Sequence, residues 1–149
     1  MPHWRMGILT DYFIATDDAA AAGALAQGPT SAFRTVEGNG LEPTVHLGTL
    51  EEILTGRSFE EILDEIDDAG PVAQEDDFSS FVQPISQSLL EALKAASRDD
   101  LLSAATAWSL TEELTGADPE SLLAFLTDLV ELARTAEATN CAVYCWVCL

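Results

Sequence analysis

A chain of 149 residues, 48% of them hydrophobic, is long enough to fold as one domain around its own core without disulfides or structural metal. Its 26 acidic side chains against six basic ones give a formal net charge of −20, which argues against nucleic acid or an anionic membrane as partners, because phosphates are held by clustered Lys and Arg. The same hydrophobic fraction excludes reading that charge as disorder, and the Ala-, Asp- and Glu-rich, Lys-poor balance suits a GC-rich genome or a salt-adapted cell.

Residues 1–5 read as an extension ahead of a single domain spanning residues 6–149. Met1 to Arg5 is not followed by the apolar region of a secretory signal, and Met6 to Ile14 is too short to span a bilayer, so a cytoplasmic location is expected. Met6 to Ala15 alternates as a first strand, with Ile8, Tyr12 and Ile14 on one side and Leu9, Asp11 and Phe13 on the other. Asp11 is the polar exception. Thr16 is expected to cap an alanine-rich helix that begins at Asp17-Asp18 and is closed by Gly28-Pro29. Phe33 to Glu37 suits a second strand, followed by a turn at Gly38-Asn39-Gly40.

Thr49-Leu-Glu-Glu52 and Ser58-Phe-Glu-Glu61 both have the form of a capping box, in which a hydroxyl and a carboxylate three residues apart satisfy each other's backbone amides. Leu54-Thr55-Gly56 ends the first of these helices. The second places Phe59, Ile62, Leu63 and Ile66 on one face and Glu60, Asp64, Glu65 and Asp68 away from it, and stops at Gly70-Pro71. Val72 to Asp77 reads as an acidic loop and Phe78 to Gln83 as a strand ended by Pro84. Ser86 caps a helix built on Leu89, Leu90 and Leu93, and Ser97 caps another built on Leu101, Leu102, Ala105 and Trp108.

Asp118-Pro119-Glu120 is a strong helix start, combining an oxygen acceptor at the N-cap, a proline where no amide hydrogen is needed, and a carboxylate facing the positive end of the helix dipole. Leu122, Phe125, Leu126, Leu129, Val130, Leu132 and Ala133 follow at the spacing of a buried stripe. Cys141 to Leu149 has no polar face and reads as a strand covered on both sides. The expected fold is therefore α+β, a small mixed or antiparallel sheet with five to seven helices mostly on one face and the C-terminal strand central.

Met6-Gly7 through Tyr12, Leu50 through Leu54-Thr55-Gly56, Trp108, and Ala136 through Trp146 stand in the order found in the YfbM-like family of small bacterial proteins, which the chain resembles. Trp108, Thr111-Glu112-Glu113 and Tyr144-Cys145-Trp146-Val147-Cys148 are also similar to a group of actinobacterial proteins. The broader family places an aromatic-His pair shortly before the Leu-Thr-Gly helix end, and Val45-His46 stands about two positions from it. The resemblance implies an α+β fold and no particular activity.

Cys141, Cys145 and Cys148 do not make a metal set, because strand alternation points Cys148 away from the other two. Buried, reduced thiols fit them better. A cysteine nucleophile would need a base and a positive setting, which a strongly negative chain does not offer. His46 with Asp11 or Glu112 is the best acid-base pair on offer, and its alternative is a histidine making one structural hydrogen bond. Trp108 with Glu112 and Glu113 forms a candidate pocket lining, against the alternative of a core tryptophan followed by a solvated turn.

Arg57 to Asp77 holds nine acids and one base, yet Asp64, Asp67 and Asp68 lack the alternating oxygens of an EF-hand loop, and a solvated acidic face accounts for them. No cofactor or metal is expected. Two functions remain. One is a non-enzymatic interaction protein of the immunity or antitoxin type that binds a basic protein partner, and the other is a small-molecule-binding protein or enzyme with a pocket near Trp108 and Glu112.

Overall fold

The first and last strands lie side by side at the centre of the fold. In the computed structural model, which describes residues 8–149, β1 (Leu9–Ala15) pairs along its whole length with β5 (Ala142–Cys148), from Leu9 opposite Cys148 to Ala15 opposite Ala142. β2 (Thr35–Glu37) flanks β1, β4 (Ser80–Pro84) flanks β5, and β3 (Ala73–Gln74) closes the far edge. The order is β2-β1-β5-β4-β3, and every pairing is antiparallel. The extension at residues 1–5 and the strand start at Met6-Gly7 lie outside the described residues.

Side-chain alternation along β5 divides the core in two. Val143, Cys145 and Val147 join Tyr12 and Ile14 in the larger core. Tyr144 and Trp146 join Phe13, Ala15 and Val82 in the smaller one. The larger core is covered by α2 (Val45–Thr55), α4 (Gln87–Ala95), α5 (Arg98–Ser109) and α6 (Pro119–Ala138), with α3 (Phe59–Ala69) packed on α2. α6 supplies eight buried side chains, and its Phe125 meets Tyr12 edge to face with ring centroids 5.3 Å apart. The single domain and central C-terminal strand expected from the sequence are present.

The smaller core is covered by α1 (Asp18–Ala22) and the turns that follow it. Trp146 Nε1–H donates to the Leu25 carbonyl at 3.0 Å and Tyr144 Oη–H donates to the Asp18 carboxylate at 2.7 Å, tying this thin layer to the sheet. Gly38 shows why β2 turns away where it does. A Cβ there would sit 2.2 Å from Thr10 Oγ1, so only hydrogen fits against β1.

Several local expectations are corrected. The N-cap of α1 is Asp17, not Thr16, and the helix ends at Ala22 in a run of turns instead of reaching Gly28. Thr49 caps nothing: α2 begins four residues earlier, and Thr49 Oγ1–H donates to the Val45 carbonyl inside the helix. Phe78 is not in a strand but at a turn with φ 59°, 61% exposed, and β4 starts at Ser80. Ala73-Gln74 of the expected acidic loop pairs with β4. Leu102 is exposed, and Ala104 takes its place in the buried stripe of α5. The Ser58, Ser86, Ser97 and Asp118 side chains cap their helices as their residue types dictate, but the reciprocal box forms at Ser97 and Asp100 while Ser58 and Glu61 make only its hydroxyl half. Gly56 closes α2 in the left-handed conformation at φ 75°.

Candidate functional site

The residues around the start of α2 form a hydrogen-bonded knot. Glu42 does the capping that Thr44 does not: one carboxylate oxygen accepts the His46 amide at 2.6 Å, and the other accepts from the Thr44 amide at 3.0 Å and from its hydroxyl. In return, His46 Nδ1 accepts the Glu42 amide hydrogen at 3.0 Å. The imidazole is thus held with its lone pair occupied by backbone and its proton on Nε2. Burial pushes its pKa below 6.5, and the nearby Glu42 and Glu113 carboxylates only partly offset that. His46 is therefore a neutral brace whose acceptor nitrogen is already engaged, which limits it as a general base.

Trp108 completes this knot from α5. It is fully buried, its Nε1–H donates to the His46 carbonyl at 3.0 Å, and its ring leans on Phe125 with centroids 6.3 Å apart. Glu113 lies close enough to act on His46, and both Glu112 and Glu113 are exposed on the 3-10 turn Glu112–Leu114. His46, Trp108 and Glu113 thus come together. Asp11 does not join them, because β1 alternation sends it to the face shared by Phe13 and Ala15, opposite Glu37 on one side and Trp146 on the other. Its carboxyl pKa is raised by burial and by Glu37.

A different cluster organises the acidic region. Arg57, in the loop between α2 and α3, has Nη1 2.8 Å from the Glu51 carboxylate and 3.0 Å from Ser88 Oγ, while Nη2 bonds to Glu65 and lies 3.9 Å from Glu61. Glu51 is 1% exposed, so this guanidinium is what allows a carboxylate inside the helix layer. The one base of this stretch is consequently occupied from the inner side. Outward from it, Glu60, Glu61, Asp64, Glu65, Asp67 and Asp68 on α3, with Asp76 and Asp77 beyond, are exposed.

Among the described residues no three His, Cys, Asp or Glu side chains converge as a metal set. Cys145 is fully buried with its thiol pKa pushed well up by desolvation, and Cys141 and Cys148 are half-buried free thiols. Concavities occur beside Asp11, Glu37 and Asn39, about 450 Å³, and between α3, β4 and α4, about 310 Å³. The second has Gln83 in its wall, 5% exposed, with Nε2 buried and without a hydrogen-bond partner.

Glu42, Glu51, Arg57 and Gln83 were not singled out by sequence reasoning. A usable signal existed for Glu42, an acid followed by Pro43 two residues before a helix start. For Arg57, the only base in an acidic stretch, isolation was itself the signal. Nothing in the local sequence marks Gln83, whose burial comes from strands and helices far apart in the chain. In comparison with known proteins, the chain matches no family model, and no curated protein or solved structure matches it significantly.

Proposed function

We propose that this chain is a non-enzymatic, acidic interaction protein, of the immunity or antitoxin type, whose α3 face receives a basic protein partner. The observation that carries this reading is the outer surface of α3 and the following loop, where nine acids between Arg57 and Asp77 stand against one base already engaged by Glu51, Glu61 and Glu65. α3 fully buries only Ile62 and leaves Glu60, Glu61, Asp64, Asp67 and Asp68 exposed, so its outer face is free for contact. A one-signed surface of this kind speeds and orients encounter with a partner of opposite sign. A pocket at Trp108 and Glu112 has less support, because Trp108 is buried against Phe125 and Glu112 faces solvent.

The test is affinity for a purified basic protein encoded beside this chain's gene, measured from low to high salt. Binding should weaken steeply as the screening length falls from ~30 Å at 0.01 M to ~8 Å at 0.15 M. Reversing Glu60, Asp64 and Asp67 to lysine should abolish it, and reversing Asp128, Glu131 and Glu137 on α6 should not. Salt-insensitive binding, or equal loss from both sets, would overturn the reading.

A further inference from the structure

The cleft between α3, β4 and α4 combines three features that the acidic surface does not explain. Its walls are apolar where Ile62, Ile66 and Ala69 of α3 face Pro84 and Ile85 at the end of β4. Gln83 stands in the wall with a buried, unpartnered Nε2. Ser86 to Ser88, the cap and first turn of the nine-residue helix α4, form the remaining side.

A buried amide nitrogen without an acceptor is costly enough that folded proteins leave few of them, and an acceptor carried by a guest in the cleft would relieve this one. We propose that this cleft is a binding site for a small, uncharged, largely apolar molecule that offers a carbonyl-type acceptor to Gln83. The terminal torsion of a glutamine is soft, so a modest turn of the amide presents Nε2 to a guest in the cleft. A volume of about 310 Å³ is at the small end of ligand pockets.

The chemistry of the walls selects against ions of either sign. A cation is drawn by Glu65 but offers Gln83 Nε2 no acceptor and meets the positive end of α4, whose first amides have no acceptor within the helix. Glu65 in the same wall and the net charge of −20 disfavour an anion. A neutral acceptor on an apolar body satisfies both conditions. The site is separate from partner docking, since Ile62 and Ile66 face the cleft while Glu60, Asp64 and Asp67 face outward.

Two-dimensional amide NMR on the full chain, titrated with cyclohexanone, cyclohexylammonium and cyclohexanecarboxylate, tests the proposal. Cyclohexanone should shift the Gln83 side-chain amide and the Ile66 and Ser88 backbone amides saturably, and the two charged congeners should bind more weakly. Gln83→Leu should weaken the ketone by about tenfold, the loss of one hydrogen bond. Should that variant fail to fold, Ala69→Trp, which places an indole on an exposed part of the rim, takes its place and should abolish the shifts. Ketone binding that leaves Gln83 unmoved, survives undiminished in the folded variant, or is matched by either charged congener would overturn the assignment.

Discussion

α6 and α3 are both amphipathic helices started by an oxygen cap, yet the molecule holds them by different means. α6 buries eight side chains between the sheet and α5, while α3 fully buries one and leaves six carboxylates in water. The first is stabilised by transfer of apolar surface out of water, a term that does not depend on ionisation and is not screened by salt. The second depends on Ser58, Ile62 and the ion pairs of Arg57, so its attachment responds to charge. The acidic helix is a surface feature held at a few points, and the C-terminal helix is the core.

The largest effect should come from removing what α6 packs on. Ending the chain after Asn140 removes β5, whose Val143, Tyr144, Cys145 and Val147 are buried. At about 1.5–3 kcal/mol per large apolar side chain, against a typical domain stability of about 5–15 kcal/mol, cooperative unfolding should vanish in calorimetry. A truncated chain that still melts cooperatively near the parent temperature would mean that α6 holds its place without β5.

Leu126→Ala on α6 should cost about 2–5 kcal/mol of global stability in denaturant titration. Ile62→Ala, an equally buried position on α3, should instead show mainly as faster hydrogen exchange within residues 59–69, because that helix packs chiefly on α2 and not on the sheet. Equal global losses at the two positions would mean that α3 is as much part of the core as α6.

Arg57→Ala should lower the melting temperature and loosen α3, since it strands the buried Glu51 carboxylate. Adding Glu51→Leu should recover part of the loss by removing the stranded charge. If the double variant is no better than the single one, the guanidinium acts through Ser88 and packing alone.

A smaller effect is expected from His46. Its folded pKa lies below 6.5 because of burial, so the folded state resists a proton that the unfolded chain takes up. Stability should be full above pH 6.5 and fall as pH drops from there through the lowered value. His46→Asn should flatten that slope relative to the parent. The smallest change in melting temperature is expected from reversing the exposed Glu60, Asp64 and Asp67, the variants that should abolish partner binding.

The contrast between the two helices also separates what the sequence disclosed from what it withheld. α6 and β5 were legible because their signals are local: Asp118-Pro119 fixes the start, a stripe fixes the face, and an unbroken apolar run fixes the strand. β3 was not, because two residues, Ala73-Gln74, carry no period to detect. Thr49 misled because a hydroxyl three residues before a glutamate also occurs inside helices, where it bonds back to the preceding turn. At the candidate site, His46 and Trp108 were visible as residues, but their contact through the His46 carbonyl spans two elements and left no trace in either segment. Gln83 owes its setting to packing between α3, β4 and α4, which no single stretch encodes, whereas the Glu51, Glu61 and Glu65 partners of Arg57 lie nearby in the chain and only Ser88 is remote.

The central pairing of Leu9–Ala15 with Ala142–Cys148 has a consequence for synthesis. That ladder cannot start before residue 142 has left the ribosome or finish before residue 148 has, and closing so long a loop makes the sheet slow to assemble. Until then the nascent chain carries Tyr12, Phe13 and Ile14 on a strand without its main partner, the kind of edge to which other chains add. Translation speed and chaperone supply, as well as native stability, should therefore govern how much of this protein accumulates in folded form.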